Sequence, residues 1–332
     1  MSSPPLIVSP VERGQTLAAI LKKRLNQSWS QVRKLIEQRQ VRINGQTCVD
    51  PARRLQVNQR IELQTELRRP AKPPKPVASA SRAQTRGARR EAAKLVHLDE
   101  AIVVVEKPPG LTTMRHADEA DEFGPRGKRF LPATLADLLP KLIGDSRPVR
   151  AVHRLDKETS GLVVFARTPE AERHLGKQFR AHTISRKYLA IVRGVPAPGK
   201  IESWLIRDRG DGRRGSSPPP GQGQHAVTHV VIVEQLGEFA LVECRLETCR
   251  THQVRIHLGE RGTPLCGETI YDRPLHGRPV PDTSQSPRIA LHAASLGLRH
   301  PVSEKWLEWE SPLPDDLAEL LQRLRKQSKT QA

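Results

Sequence analysis

At 332 residues, with 36% hydrophobic and 27% charged side chains, the chain is long enough for a full catalytic core plus a smaller companion, and its balance is that of a water-soluble globular protein. Aromatics at 3% and 28 prolines mean that part of it is linker rather than packed core. The formal net charge of +19, from 55 Lys and Arg against 36 Asp and Glu, calls for a densely anionic partner, nucleic acid before an anionic membrane surface. The longest apolar runs, residues 102–105 and 162–166, are of strand length and far too short to span a bilayer. The N-terminus lacks a basic stretch leading into an apolar one, so a cytoplasmic location is expected; a monomer is expected as well. Cys48, Cys244, Cys249 and Cys266 show no CxxC pairing; they read as small buried apolar residues, with neither a metal site nor a cysteine nucleophile expected.

In chain order, Thr16 caps a helix with apolar positions Leu17, Ile20, Leu21 and Leu25, and a second helix after Ser28 carries Val32, Leu35 and Ile36. Residues 41–43 and 47–49 read as strands flanking Asn44-Gly45, a pair that tolerates positive φ and so signals a hairpin. The polar faces hold Lys22, Lys23, Arg24, Arg33, Lys34, Arg39 and Arg42 with few acids between them, which suits phosphate tracking as well as an ordinary solvated face. Residues 9–66 resemble the S4 RNA-binding domain in the first-helix leucine Leu17, the Ser-rich start at 28–30, the Leu35-Ile36 pair and the 41–45 hairpin. The segment departs from that pattern at Gln40, where Gly is usual, and at Asn58-Gln59, where Gly-Asp is common. The resemblance implies RNA contacts from Lys22, Lys23, Arg33, Lys34, Arg39 and Arg42.

Residues 67–95 read as a flexible basic linker: from 68 to 94 there are nine basic residues against Glu91 alone, broken by Pro70, Pro73, Pro74 and Pro76. Beyond it, residues 96–325 form the larger unit, with strand-like runs at 102–105, 162–166, 188–192, 227–233, 240–246 and 253–258. The clearest helix starts at Pro169 with Thr168 as its cap and continues through Ala171, Leu175 and Phe179. Strands outnumber helices without regular alternation, so the fold class is α+β, a mixed and mainly antiparallel sheet with flanking helices, beside the small N-terminal α/β unit. The low-complexity stretch 207–224 reads as a mobile surface insertion.

Two polar clusters are candidates for chemistry, although each reads equally as an ordinary solvated face from its residues alone. His153-Arg154-Leu155-Asp156-Lys157-Glu158-Thr159-Ser160-Gly161 runs into the apolar 162–165, placing a carboxylate on a turn before a buried strand. The second, residues 246–258, would as a strand set Gln253, Arg255 and His257 on one face and Val254, Ile256 and Leu258 on the core face, pointing Arg255 into a cleft. Together they resemble the signatures of the RluA-type pseudouridine synthases, His-Arg-Leu-Asp-x-x-Thr-Ser-Gly and Arg-Thr-His-Gln-x-Arg-x-His-Leu. Further family features follow in order: Lys107-Pro108-Pro109-Gly110-Leu111, Lys187-Tyr188-Leu189-Ala190, residues 267–271 and Leu291-His292-Ala293, while Cys249 stands where the family usually has Gly. The resemblance implies Asp156 as the catalytic carboxylate, Arg255 as its partner, Tyr188 as the aromatic that stacks on the target base, and Arg154 as the side chain filling the space of the extruded base. His153, Lys187, His252 and Gln253 join them as expected substrate contacts.

Uridine-to-pseudouridine isomerisation breaks the bond between N1 and the ribose, turns the uracil and rejoins it through C5, so no cofactor is implied. The target must leave the base stack, which costs a few kcal/mol and gives an intercalating Arg and a stacking Tyr their use. Ribosomal RNA is the favoured substrate, ahead of transfer RNA. Two other classes compete: a catalytically silent RNA-binding protein, against which the intact Asp156, Tyr188 and Arg255 speak, and an N-glycoside hydrolase, which would want a second carboxylate where only Glu158 stands close.

Overall fold

A computed structural model of the chain describes residues 4–38, 40–48, 51, 53–63, 92–115, 131–207, 209, 213–217, 220–275 and 277–331. These fall into two units, one holding the described residues up to 63 with 115, 131 and 132, the other holding 92–114 and 133–331. Residues 64–91, most of the expected linker, lie outside the described residues, as do Arg39, Val49 and the Arg33 side chain. Among the described residues no helix is long and apolar enough to cross a membrane.

The smaller unit comprises β1 (Leu6–Ile7), a 3-10 turn at Pro10–Glu12, α1 (Leu17–Leu25), α2 (Trp29–Glu37), β2 (Val41–Ile43), β3 (Gln46–Thr47) and β4 (Arg60–Leu63). Thr16 Oγ1 accepts from Ala19 N–H at 3.3 Å, and Ser28 Oγ accepts from Gln31 N–H while the Gln31 side chain returns to Ser28 N–H at 2.9 Å, so both helix starts are capped as expected. Asn44 (φ 50°) and Gly45 (φ 80°) both occupy the left-handed region in the β2–β3 turn. Asn58, where Gly-Asp is common in S4 domains, sits at φ 65°, a conformation Asn adopts more readily than most residues. The strands order β1-β4-β2-β3, and Leu17, Ile20, Leu21, Val32, Ile36, Val41, Ile43 and Ile61 fill the core. Arg24, read from sequence as part of the basic face, is instead bound at 2.7 Å to Glu12, whose pKa it holds at about 2.

The larger unit holds β5 (Lys94–Leu98), β6 (Ile102–Lys107), α3 (Leu135–Leu142), β7 (Arg150–Ala151), β8 (Ser160–Ala166), α4 (Pro169–Arg180), β9 (Ser185–Arg193), β10 (Gly199–Ile206), β11 (Gly215–Ser216), β12 (Gln224–Leu236), β13 (Phe239–Leu246), α5 (Gln253–Glu260), β14 (Leu291–Arg299), β15 (Trp306–Glu310) and α6 (Asp315–Gln331). Its sheet runs β11-β10-β12-β13-β9-β14-β8-β6-β5, with β15 beside β14 and β7 beside β8. All pairs are antiparallel except β14 with β8. The continuous apolar runs in β6 and β8 reflect burial on both faces: Val103, Val105, Val163 and Phe165 pack with α3, and Ile102, Val104, Leu162 and Val164 pack with α4. The α+β class with a mainly antiparallel sheet is what the structure shows.

One element differs from the sequence reading. Residues 253–258 are not a strand but the body of α5. His252 adopts φ 61° at its start, and every residue from Gln253 to Gly259 is buried. The period-of-two alternation misleads because the polar members have internal partners: Gln253 bonds Thr248, Val227 and Thr228, while His257 bonds Thr228 and Ser203. A helix enclosed on all sides need not show a helical polar face.

Candidate active site

Asp156 lies in the connection between β7 and β8, and the chain around it is fixed by backbone contacts on every side. Thr113 Oγ1 donates to Leu155 C=O at 2.8 Å and accepts from Leu155 N–H at 3.1 Å. Lys107, fully buried at the end of β6, donates through Nζ to the carbonyls of Pro108, Leu111 and Lys157 at 2.9, 2.9 and 3.0 Å. Burial pulls its pKa down to about 7 against the pull of Glu158 and Asp156. Arg288 reaches Glu158 C=O and Ser160 Oγ while pairing with Asp316 of α6 at 2.6 Å, and Ser160 Oγ is hydrogen-bonded to His292 Nδ1 of β14. Gly161, at φ 113°, lies so close to β14 that a Cβ would come within 3.0 Å of Ala293 backbone atoms.

Around the Asp156 carboxylate, 18% exposed, stand Arg255 Nη1 at 3.6 Å and His252 Nε2 at 3.8 Å. These are charge contacts longer than hydrogen bonds. The stronger partner of Arg255 is Glu268, which takes its Nε and Nη2 at 2.6 and 3.0 Å and also accepts from the N–H groups of Thr269, Ile270 and Tyr271. Burial alone would raise the Glu268 pKa, but Arg255 and those amides leave it lowered. The Arg255 guanidinium also sits 5.2 Å from the centre of the Tyr271 ring, and the Tyr271 hydroxyl is hydrogen-bonded to His252 Nδ1 at 2.8 Å. Burial takes the His252 pKa down to about 4 although Asp156 opposes it, so the imidazole is neutral near pH 7.

Tyr188 is buried in β9, opposite Cys244 of β13 and Ala293 of β14. Burial raises its pKa, and the charge of Asp156 adds to the effect, so the phenol stays protonated. Asp156, Arg255, His252 and Tyr188 are thus brought together, with Arg154 exposed next to them in the chain.

Three expected substrate contacts are engaged elsewhere. His153 Nε2 accepts from Val164 N–H at 3.0 Å and its ring stacks on Phe179 at 4.7 Å; burial lowers its pKa to about 3. Gln253 spends its side chain inside the fold, and Lys187 is directed toward Glu308 of β15 at 4.0 Å. In the smaller unit, Lys22, Lys23 and Lys34 are exposed and Arg42 is half-buried in β2. Sequence reasoning gave no role to Glu268 or Tyr271, although both fall within the 267–271 motif. The available signal was only an acid two residues after the apolar Leu265-Cys266.

The mixed sheet thus mounts a rigid carboxylate loop with arginine and neutral histidine close to Asp156. Residues 101–260 match the family model for RNA pseudouridylate synthase, and residues 15–61 match that for the S4 domain. The ribosomal large subunit pseudouridine synthase D of Neisseria meningitidis serogroup A is 39% identical over 240 residues, 70% of this chain and 61% of its own length. The protein of the same name from Zymomonas mobilis is 37% identical over 235 residues, 70% of this chain and 72% of its own. The solved structure of human RNA pseudouridylate synthase domain containing 4 is 26% identical with a TM-score of 0.54, covering 70% of this chain and 93% of that one. The chain belongs to the RNA pseudouridine synthase family and carries an S4 domain.

Proposed function

We propose that this protein converts uridine to pseudouridine in RNA, with ribosomal RNA as its substrate and Asp156 as its essential carboxylate. The observation that carries the reading is the pairing of a rigidly mounted, accessible Asp156 with a second acid, Glu268, that Arg255 and three amides already neutralise. A glycoside hydrolase of the two-carboxylate kind needs one acid protonated and ready to donate, and a lowered pKa in a closed ion pair denies Glu268 that role. A lone carboxylate suits an isomerisation in which the cleaved uracil stays in the pocket and is joined again through C5.

In this reading the uridine leaves the stack, Tyr188 offers its ring to the base, and Arg154, exposed on the loop, occupies the vacated space. Arg255, held by Glu268, orients Asp156 from one side. The carboxylate then either bonds to the sugar or base, or takes a proton from the sugar. Neutral His252 borders the carboxylate without competing for its charge. Exposed Lys22, Lys23 and Lys34, with Arg33, Arg39 and Arg42, supply the N-terminal phosphate contacts. The names of the relatives favour ribosomal over transfer RNA.

Asp156→Asn is the test. Pseudouridine formation in ribosomal RNA should be lost while RNA affinity stays within about twofold, since the substitution is isosteric and removes no cation. Retained turnover would remove Asp156 from the mechanism. Loss of pseudouridine from transfer RNA alone, in cells lacking the protein, would reassign the substrate.

A further inference from the structure

The stretch that reads in sequence as a surface insertion contains a built element. Gly215 and Ser216 form β11, paired with Ile206 and Leu205 at the edge of the sheet. The element is fastened to the C-terminal end of α5: Glu260 accepts from Ser216 N–H at 3.0 Å, from Ser216 Oγ at 2.6 Å and from Arg209 Nη1 at 2.9 Å. The Arg209 and Glu260 side chains are 3% and 9% exposed, so this is an enclosed pair and not a surface contact. Gly215 is crowded by Arg209 and Glu260, and the chain passes there only because no Cβ is present. The helix that carries Arg255 to Asp156 at one end therefore holds β11 at the other.

Arg214 immediately precedes this fastening. It is half-buried, and among the described residues its guanidinium has neither a hydrogen bond nor an ion pair. It leads directly into Gly215, which packs against Glu260 on the helix that carries Arg255, and its charge interacts with those of Asp156, Arg154 and Arg207. Arg154 and Arg207 are exposed and likewise without a hydrogen bond or ion pair among the described residues. Arg255 is neutralised by Glu268, whereas half-buried Arg214 has no counter-ion among the described residues. Partial burial of a cation with no counter-ion is unfavourable in the free protein and becomes favourable when an anion arrives already positioned.

We infer that Arg214 is a positioning residue that binds a backbone phosphate flanking the flipped uridine, with β11 and its Glu260 fastening as the mount that holds it there. The inference rests on the proposed uridine pocket and adds to it the part that grips the strand. The reacting atoms lie at the sugar and base, so loss of Arg214 weakens capture and leaves the chemical step nearly intact.

The experiment uses full-length protein and a ribosomal RNA fragment containing its modified uridine. Arg214→Gln should raise KM on the order of tenfold, keep the single-turnover rate at saturating RNA within about twofold, and lower the slope of log affinity against log salt by about one. Arg214→Lys should restore the salt slope, and Arg173→Gln, on exposed α4, should leave all three readouts unchanged. Glu260→Gln should produce part of the Arg214→Gln defect, and the double variant should fall short of the sum. An unchanged salt slope with Arg214→Gln would overturn the phosphate contact, and strict additivity would overturn the mount. Should the wild type bind this RNA with the expected slope yet make no pseudouridine, the enzymatic reading fails while the phosphate contact stands.

Discussion

Arg255 has two carboxylates within 4 Å but satisfies them unequally, with two short bonds to Glu268 and a looser contact to Asp156. A guanidinium so divided stays charged and fixed while leaving the Asp156 oxygens available. Glu268→Gln should break that arrangement: a buried arginine loses its counter-ion, the protein is destabilised by about 3–5 kcal/mol, and the freed side chain closes on Asp156. Chemical denaturation together with single-turnover kinetics checks this, and a variant with wild-type stability and rate would show that Glu268 is a bystander. Asp156, Arg255 and Tyr188 were legible from the sequence because each falls in a motif with distinctive neighbours. Glu268 was not assigned a role, since its importance comes from closure of space between α5 and the loop following it. Nothing in the residues alone distinguishes a buried ion pair from an exposed acid. His153 and Gln253 were legible as polar residues near the site, but their partners, Val164 N–H and Thr228 among them, are visible only in three dimensions.

Among the elements, the caps, the Asn44-Gly45 turn and the strands β6, β8, β9, β12 and β13 follow from local pattern, while α5 does not, and β5, β10, β14 and β15 have no comparable signal. Its alternation of apolar and polar residues is strand-like, and the helix forms because tertiary contacts satisfy Gln253, Arg255 and His257. The β8–β14 pair was equally hidden, being the parallel contact in a sheet otherwise joined antiparallel. Gly161 is where that contact is closest. Gly161→Ala adds both a left-handed strain and an overlap with the Ala293 backbone, and should cost about 3 kcal/mol or more. Gly110, at φ 76° with open space around it, is the matched control, and Gly110→Ala should cost only about 1–2 kcal/mol. Equal losses in urea unfolding would mean that backbone conformation alone matters at Gly161.

For the whole molecule, the net charge of +19 pointed to nucleic acid before any motif did, but it does not say which cations are spent internally. Arg24, Arg193, Arg255 and Arg288 all are. Buried histidines make a different bulk property predictable. His257 and His292 are fully enclosed, and burial lowers each pKa to about 4. In the unfolded chain both titrate near ~6.5, so below that pH the unfolded state takes up protons that the folded state refuses, and stability falls as pH falls toward 4. Between pH 6.5 and 5 the two together should remove about 3 kcal/mol of unfolding free energy, while above pH 7 their contribution is flat. Urea titrations at pH 7.5, 6.5 and 5 would show it, and a constant midpoint across that range would mean the two rings are protonated in the folded protein.

The loop bearing Asp156 is held by groups far away along the chain: His292 lies 132 residues after its partner Ser160, and Arg288 lies 130 after Glu158. Such contacts raise contact order, so Ser160 and Gly161 at the start of β8 wait for β14 to pair with them. During synthesis from the N-terminus, the four described strands of the S4 unit are made long before the loop bearing Asp156 can be locked. A nascent chain therefore completes the small N-terminal sheet first, and the loop bearing Asp156 gains its last supports only once β14 has been made.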